Sequence, residues 1–455
     1  MDRRAVLRGL TASIGMAPLV LGAREQGGGA SAEWIWTGAV TPQTAVVKAK
    51  LNQRADARLV ISTSATFGEV RSLPFTGEQS PHGVVTYELT DLVPNTQYHY
   101  RVEHEGRRSG QGRFRTFPEG VLSFRVAFAS CASTGSNNAV FASIVRNEPQ
   151  LFVHMGDFHY RNISENDPTL FRKAYDAVLA GPRQGALFRA TAIAYMWDDH
   201  DFGPDDSDRT SPSRNASRLA YDECVPHYPL TLENGGPSSI QQAFSMGRVR
   251  FIMTDNRYNR DPERQPDGPS KSMLGLAQRE WFLHELETAG KSHALLVWIN
   301  SVPWITKTDR HAEHGWQLWS GERTVIANRI RELGLANKVL MFSGDAHMCA
   351  IDDGTNSNYA SGAAPGEKAF VVVQAAPLDR FTSNKGGPYS HGISVKNNQF
   401  GFMRLQDDGS RMEIEITCHG RLGDVIPNLR IRLIVTDQGY VVEPRSTETT
   451  QATAR

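Results

Sequence analysis

The 455-residue chain has only four cysteines, Cys131, Cys224, Cys349 and Cys418, with no close CxxC spacing among them. A disulfide framework therefore does not carry the fold. Net charge is also missing: 49 basic residues balance 49 acidic ones, which removes any global field for nucleic acid or an anionic membrane surface. No nucleic-acid partner is inferred. The one apolar stretch near the N-terminus, from Leu10 to Ala23, is too short to span a membrane and is interrupted by Pro18, so the mature form is expected to have no stable span. The fourteen histidines show no HExxH spacing, which sets aside a mononuclear zinc hydrolase. There is no internal repeat.

What remains is the composition of a folded protein, with 40% apolar and 22% charged residues and enough length for two or three domains. The first residues, Met1-Asp2-Arg3-Arg4-Ala5-Val6-Leu7-Arg8, lead into that apolar stretch and then a Gly-rich segment. This is the pattern of a twin-arginine export signal, and it excludes residues 1–30 from the fold. It predicts the twin-arginine translocation machinery as a partner and a secreted or periplasmic location. Residues 447–455 read as a polar, disordered tail.

Residues 33–118 are rich in short alternating runs separated by polar turns, the period of antiparallel strands in an all-β sandwich. The run Gln97 to Val102, after a Pro-Asn turn, puts Tyr98, Tyr100 and Val102 on one strand face. It resembles a strand of fibronectin type III domains. Across residues 120–445 the pattern changes to nearly continuous apolar strands, at 124–129, 151–155, 192–196, 249–253, 295–299 and 339–342. Longer amphipathic segments lie between them, among them 276–288 and 323–333. That alternation predicts an α/β layered domain.

Just past each strand sit chemically loaded residues: Cys131, Asp157 with Tyr160, Asp198 to Asp201, Asp255 with Arg257, Asn300, and Asp345 with His347. The edge where open α/β strands end is where ligands bind. Carboxylates, imidazoles, a thiol and a phenol converging there exceed the needs of one metal, so two are predicted. Asp157, after Gly156, is the candidate bridging carboxylate. Cys131 and Tyr160 favour Fe³⁺ at one position, because thiolate and phenolate suit that ion better than Ca²⁺ or Mg²⁺. Arg257 could grip a phosphate oxygen through its planar fork.

Phe128-Ala129-Ser130-Cys131, Gly156-Asp157-Phe158-His159-Tyr160, Trp197-Asp198-Asp199-His200-Asp201 and Ser343-Gly344-Asp345-Ala346-His347 resemble the successive blocks of the PhoD-like phosphatase family. The resemblance implies a metallophosphatase-type αββα sandwich, iron and calcium (Fe³⁺ and Ca²⁺) as metals, and hydrolysis of phosphate monoesters or diesters. It places Cys131, Asp157, Tyr160 and His347 around one metal, and Asp157, Asp199 and Asp345 around the other, with Asn300 adding an oxygen. It also puts His200 beside the substrate phosphate, with Asp201 holding its other ring nitrogen. Asp201 stands where relatives often have Glu, and Asp205-Asp206 where an Asn often supplies a calcium ligand.

His154 and His159 read as structural, and Trp304, Trp316 and Trp319 as packing residues or the lining of a groove. Residues 378–398, with Arg380 and Lys385, read as a lid. The alternative function is a degenerate phosphatase-fold module that binds an envelope phosphopolymer.

Overall fold

The computed structural model describes residues 32–52, 57–104, 106–230, 238–306 and 314–444. The predicted export signal and polar tail lie outside them. Among the described residues no helix is long and apolar enough to cross a membrane.

Two large sheets face each other. The seven-stranded sheet has at its centre the parallel strands Val249–Thr254, Leu295–Asn300, Val339–Ser343 and Val371–Ala375. Each is buried along nearly its whole length, which is why it reads as a continuous apolar run. Alternation then sorts its side chains between two cores. Phe251, Val297, Ile299, Leu340 and Phe342 face the other sheet, while Ile252, Leu296, Trp298, Val339 and Met341 pack under the helices Leu276–Ser292 and Ser320–Glu332. The first helix runs past the predicted segment 276–288, and the second starts before the predicted 323–333 and ends at Glu332. Phe128 and Phe342 stack across the inter-sheet core with ring centroids 3.7 Å apart.

The ten-stranded sheet holds the parallel strands Phe124–Ala129, Leu151–Met155 and Ala192–Met196, flanked on one side by four antiparallel strands from Phe400–Asp407 to Gly439–Val442. On the other side it continues into the N-terminal strands Ala32–Gly38, Ala45–Leu51 and Val84–Leu89. The N-terminal β-sandwich thus shares a sheet with the layered region. Gly38 pairs in parallel with Ile193. A Cβ at Gly38 would lie 2.3 Å from the Pro226 carbonyl oxygen, so only glycine permits that approach. The sandwich's second sheet is built on Arg58–Ser62 and Gln97–His104. In the latter strand Tyr98, Tyr100 and Val102 are all buried, as the alternation predicts.

Trp304, Trp316 and Trp319 are all buried in the core under the helices, where Trp304 and Trp316 pack 5.4 Å apart. They line no groove.

Candidate metal centre

The C-terminal ends of the parallel strands in both sheets meet at one edge. Cys131, Asp157, Asp345 and His347 follow these strands with positive φ angles of 63°, 57°, 56° and 53°. Non-glycine residues adopt this region rarely and at a cost of about 1–3 kcal/mol, and such strain clusters at functional sites. Gly156 makes the approach possible: its Cβ would fall 2.4 Å from the Asp198 Cβ.

Three groups of possible ligand atoms form there, each lying within 4.8 Å: Cys131, Asp157 and His347; Asp157, Asp199 and His200; and Asp157, Asp198 and Asp345. Asp157 belongs to all three. Tyr160 joins the first, donating a 2.5 Å hydrogen bond to Asp157 Oδ2 and lying 3.1 Å from His347 Nε2.

These atoms fit cations rather than one another. Among the described residues Asp157 Oδ1, Asp198 Oδ2 and His347 Nδ1 are buried without a hydrogen-bond partner, an arrangement that costs about 1–3 kcal/mol for each group. Burial, then the carboxylates of Asp199, Asp198, Asp201 and Asp345, raise Asp157 well above the usual carboxylate range. Burial and Asp157 likewise raise the Cys131 thiol and the Tyr160 phenol. A hard cation among them reverses that penalty.

The far side of the cluster already holds positive charge. Lys385 Nζ lies 2.7 Å from Asp345 Oδ1, and His314 Nδ1 lies 3.3 Å from Asp206 and 3.7 Å from Asp345. Against the desolvating effect of burial, Lys385 and His314 hold Asp345 below the usual range. Arg257, fully buried, donates through Nε to Asp198 and brings Nη2 to 3.5 Å from Asp199. Against burial, Arg257 and then His200 draw Asp199 down, while burial leaves Asp198 at about 6 despite Arg257. Arg257 therefore orients two candidate ligands.

Three predicted roles change. Arg257 does not offer its fork to a phosphate, being fully buried and turned onto Asp198 and Asp199. Asp201 does not hold His200: its oxygens accept from Asp198 N at 2.6 Å, Phe158 N at 2.8 Å and the Tyr195 hydroxyl at 2.6 Å. A carboxylate three residues after Asp198 on a one-turn helix folds back on the backbone instead. It thereby ties the loop bearing Asp157 to the loop bearing Asp199. His200 instead bonds Asn162 through Nδ1, brings Nε2 to 3.3 Å from Asp205, and packs its ring 4.1 Å from that of Tyr160. The Asn300 amide is committed to the protein, accepting from Trp316 Nε1 at 3.2 Å and donating to the Val302 carbonyl. Its neighbour Ser301 reaches the cluster, donating to Asp198 Oδ1 at 2.9 Å.

Sequence reasoning missed His314, which no motif marks, noted Asp206 only at a position where relatives often have Asn, and gave Asp198 no role of its own. Part of the predicted lid, residues 378–398, reaches the site. Besides Lys385, Arg380 stacks 3.8 Å over the Tyr160 ring and exposed Phe381 packs 5.0 Å from His347.

The sequence profile of the PhoD-like phosphatase family matches residues 126–420, and that of its N-terminal domain matches residues 29–118. The chain belongs to the PhoD-like phosphatase family. Alkaline phosphatase D of Bacillus subtilis (strain 168) is 24% identical over 310 residues, covering 58% of this chain and 53% of the relative. The chain thus spans about half the length of that curated relative. A solved structure of PhoD superimposes with a TM-score of 0.71 at 17% identity, covering 94% of this chain and 95% of the other, so the metallophosphatase-type fold is shared. A dimetal phosphatase from Danio rerio covers 69% of this chain at 13% identity, with a TM-score of 0.34, too remote to carry any argument.

Proposed function

We propose that the chain is an exported dinuclear-metal phosphoesterase hydrolysing phosphate monoesters or diesters. The observation that carries this reading is Asp157, whose carboxylate belongs to all three groups of candidate ligand atoms, as a bridge between two cations requires. Cys131, Asp157, Tyr160 and His347 would hold Fe³⁺, since thiolate and phenolate suit that ion, and Asp157, Asp198, Asp199 and Asp345 would hold Ca²⁺. Such a pair, when bound, supplies charge to clamp phosphate oxygens and to acidify a water molecule.

The side chains do the rest. His200, at the rim beside Tyr160, hands a proton to the leaving oxygen. Asn162, on its Nδ1, fixes the ring's orientation. Arg257 and Asp201 are positioning residues: one aligns Asp198 and Asp199, and the other locks the two ligand-bearing loops together. Phe381, exposed next to His347, offers an apolar surface to the substrate's leaving group. Export rests on the Arg3-Arg4 leader.

The test is elemental analysis of the exported protein, run beside hydrolysis of p-nitrophenyl phosphate and bis-p-nitrophenyl phosphate with and without calcium. Iron near one per chain with turnover supports the reading, and the ratio of the two rates separates monoesterase from diesterase. A folded, metal-free and inactive protein points instead to the phosphopolymer-binding module.

A further inference from the structure

Lys385 is the one lysine whose ammonium reaches the ligand cluster among the described residues. Its side chain is 11% exposed and its Nζ rests on Asp345 Oδ1 at 2.7 Å. The backbone that carries it is pinned on both sides. Leu378 N donates to Ser130 O at 3.0 Å, Ser383 N to His347 O at 3.2 Å and Gly387 N to Ile305 O at 3.0 Å. Asp379 accepts from Ser133 N at 2.6 Å. The loop is therefore fastened to the strand ends that hold the ligands, and the four-carbon stem of Lys385 is the part free to move.

Lys385 occupies Asp345 Oδ1, and among the described residues Oδ2 is buried without a hydrogen-bond partner, so a second cation on this carboxylate would lie within one carboxylate's width of the ammonium. A divalent ion among Asp157, Asp198 and Asp345 would meet the ammonium as a like charge at short range. Once displaced, a desolvated ammonium needs another anion. The anion that such a site would bring to the same edge is the substrate's phosphate.

We propose that Lys385 is a phosphate-gripping residue of this site, held on Asp345 until the second cation displaces it onto the substrate. The inference rests on the two-cation reading. In the absence of that cation Lys385 stands in for it, so the ammonium and the divalent ion compete for Asp345.

The test uses the full-length protein, with calcium and manganese affinities and inorganic phosphate affinity measured by calorimetry. Lys385→Met should bind the divalent cation roughly tenfold more tightly and phosphate roughly tenfold more weakly, the scale of one charge-assisted hydrogen bond in each direction. Lys385→Gln gives the same comparison if the apolar variant does not fold. Unchanged or weaker cation binding overturns the proposal, as does unchanged phosphate binding. Asp345→Asn separates the two levels. If it leaves cation affinity unaltered, the second cation site itself is wrong. If it weakens cation binding while the Lys385 variants do not tighten it, only the role of Lys385 falls.

Discussion

The two sides of the candidate metal centre are built on opposite electrostatic plans. Around Cys131, Asp157, Tyr160 and His347 the groups are buried acceptors and weak acids whose hydrogen bonds run to one another and to neutral side chains, with no lysine or arginine bonded to them among the described residues. Around Asp198, Asp199 and Asp345 the carboxylates are already paired with Arg257 and Lys385, with His314 close by. The first side lacks a charge that only an ion can supply, whereas the second carries part of its counter-charge in the chain. A site of this kind should hold one metal as a permanent constituent and exchange the other.

The most severe way to break that contrast is Asp157→Asn, which weakens the shared carboxylate. Turnover should fall on the order of 1000-fold, with both metals reduced in elemental analysis; wild-type metal content would remove the bridge from the argument. Cys131→Ser should act on the first side alone. Bound iron and its visible absorption should drop while calcium affinity stays within about threefold, whereas equal loss of both would mean the sides are not separable. Arg257→Met probes the second side, and the expected loss in divalent-cation affinity is about 10–100-fold, with iron retained. Asp201→Asn leaves one of three donors without an acceptor, and the stability lost should be about 1–3 kcal/mol by denaturant unfolding.

The smallest effect concerns the floor beneath the first side. His154, packed among Phe152, Phe158 and Tyr195, is lowered by burial to about 3. The unfolded chain takes up a proton at this residue below pH 6.5, which the folded chain refuses until about pH 3. Stability is therefore complete above pH 6.5 and falls on acidification, by up to about 1.4 kcal/mol per pH unit. His154→Phe should flatten that part of the pH dependence of unfolding, and an unchanged slope would show that the acid sensitivity lies elsewhere.

The parallel strands that end in polar clusters were legible because burial on both faces leaves unbroken apolar runs, whereas the equally buried parallel strand Val371–Ala375, with no such cluster after it, went unread. The four antiparallel strands between Phe400 and Val442 went unread, although Met412–His419 alternates as Met-Glu-Ile-Glu-Ile. Their alternation was present, but no chemistry drew attention to it. Within the site, ligand types follow from residue type and position after a strand, and the resemblance to the family set the assignments. Partners do not follow in that way. Asp201 turning to Phe158 and Tyr195 instead of His200 depends on a single helical turn, and His314 and Lys385 arrive from loops whose paths no local pattern records.

The pairing of Gly38 with Ile193 has a topological consequence. The strand Ala192–Met196, which feeds Asp198 and Asp199 into the site, has the N-terminal segment as its neighbour on one side. Removing residues 32–118 would convert it into an open border of the sheet, with unpaired amides available to any other chain. The N-terminal β-sandwich is thus a seal on the sheet that carries the candidate site, and a shortened protein would be expected to self-associate along that border.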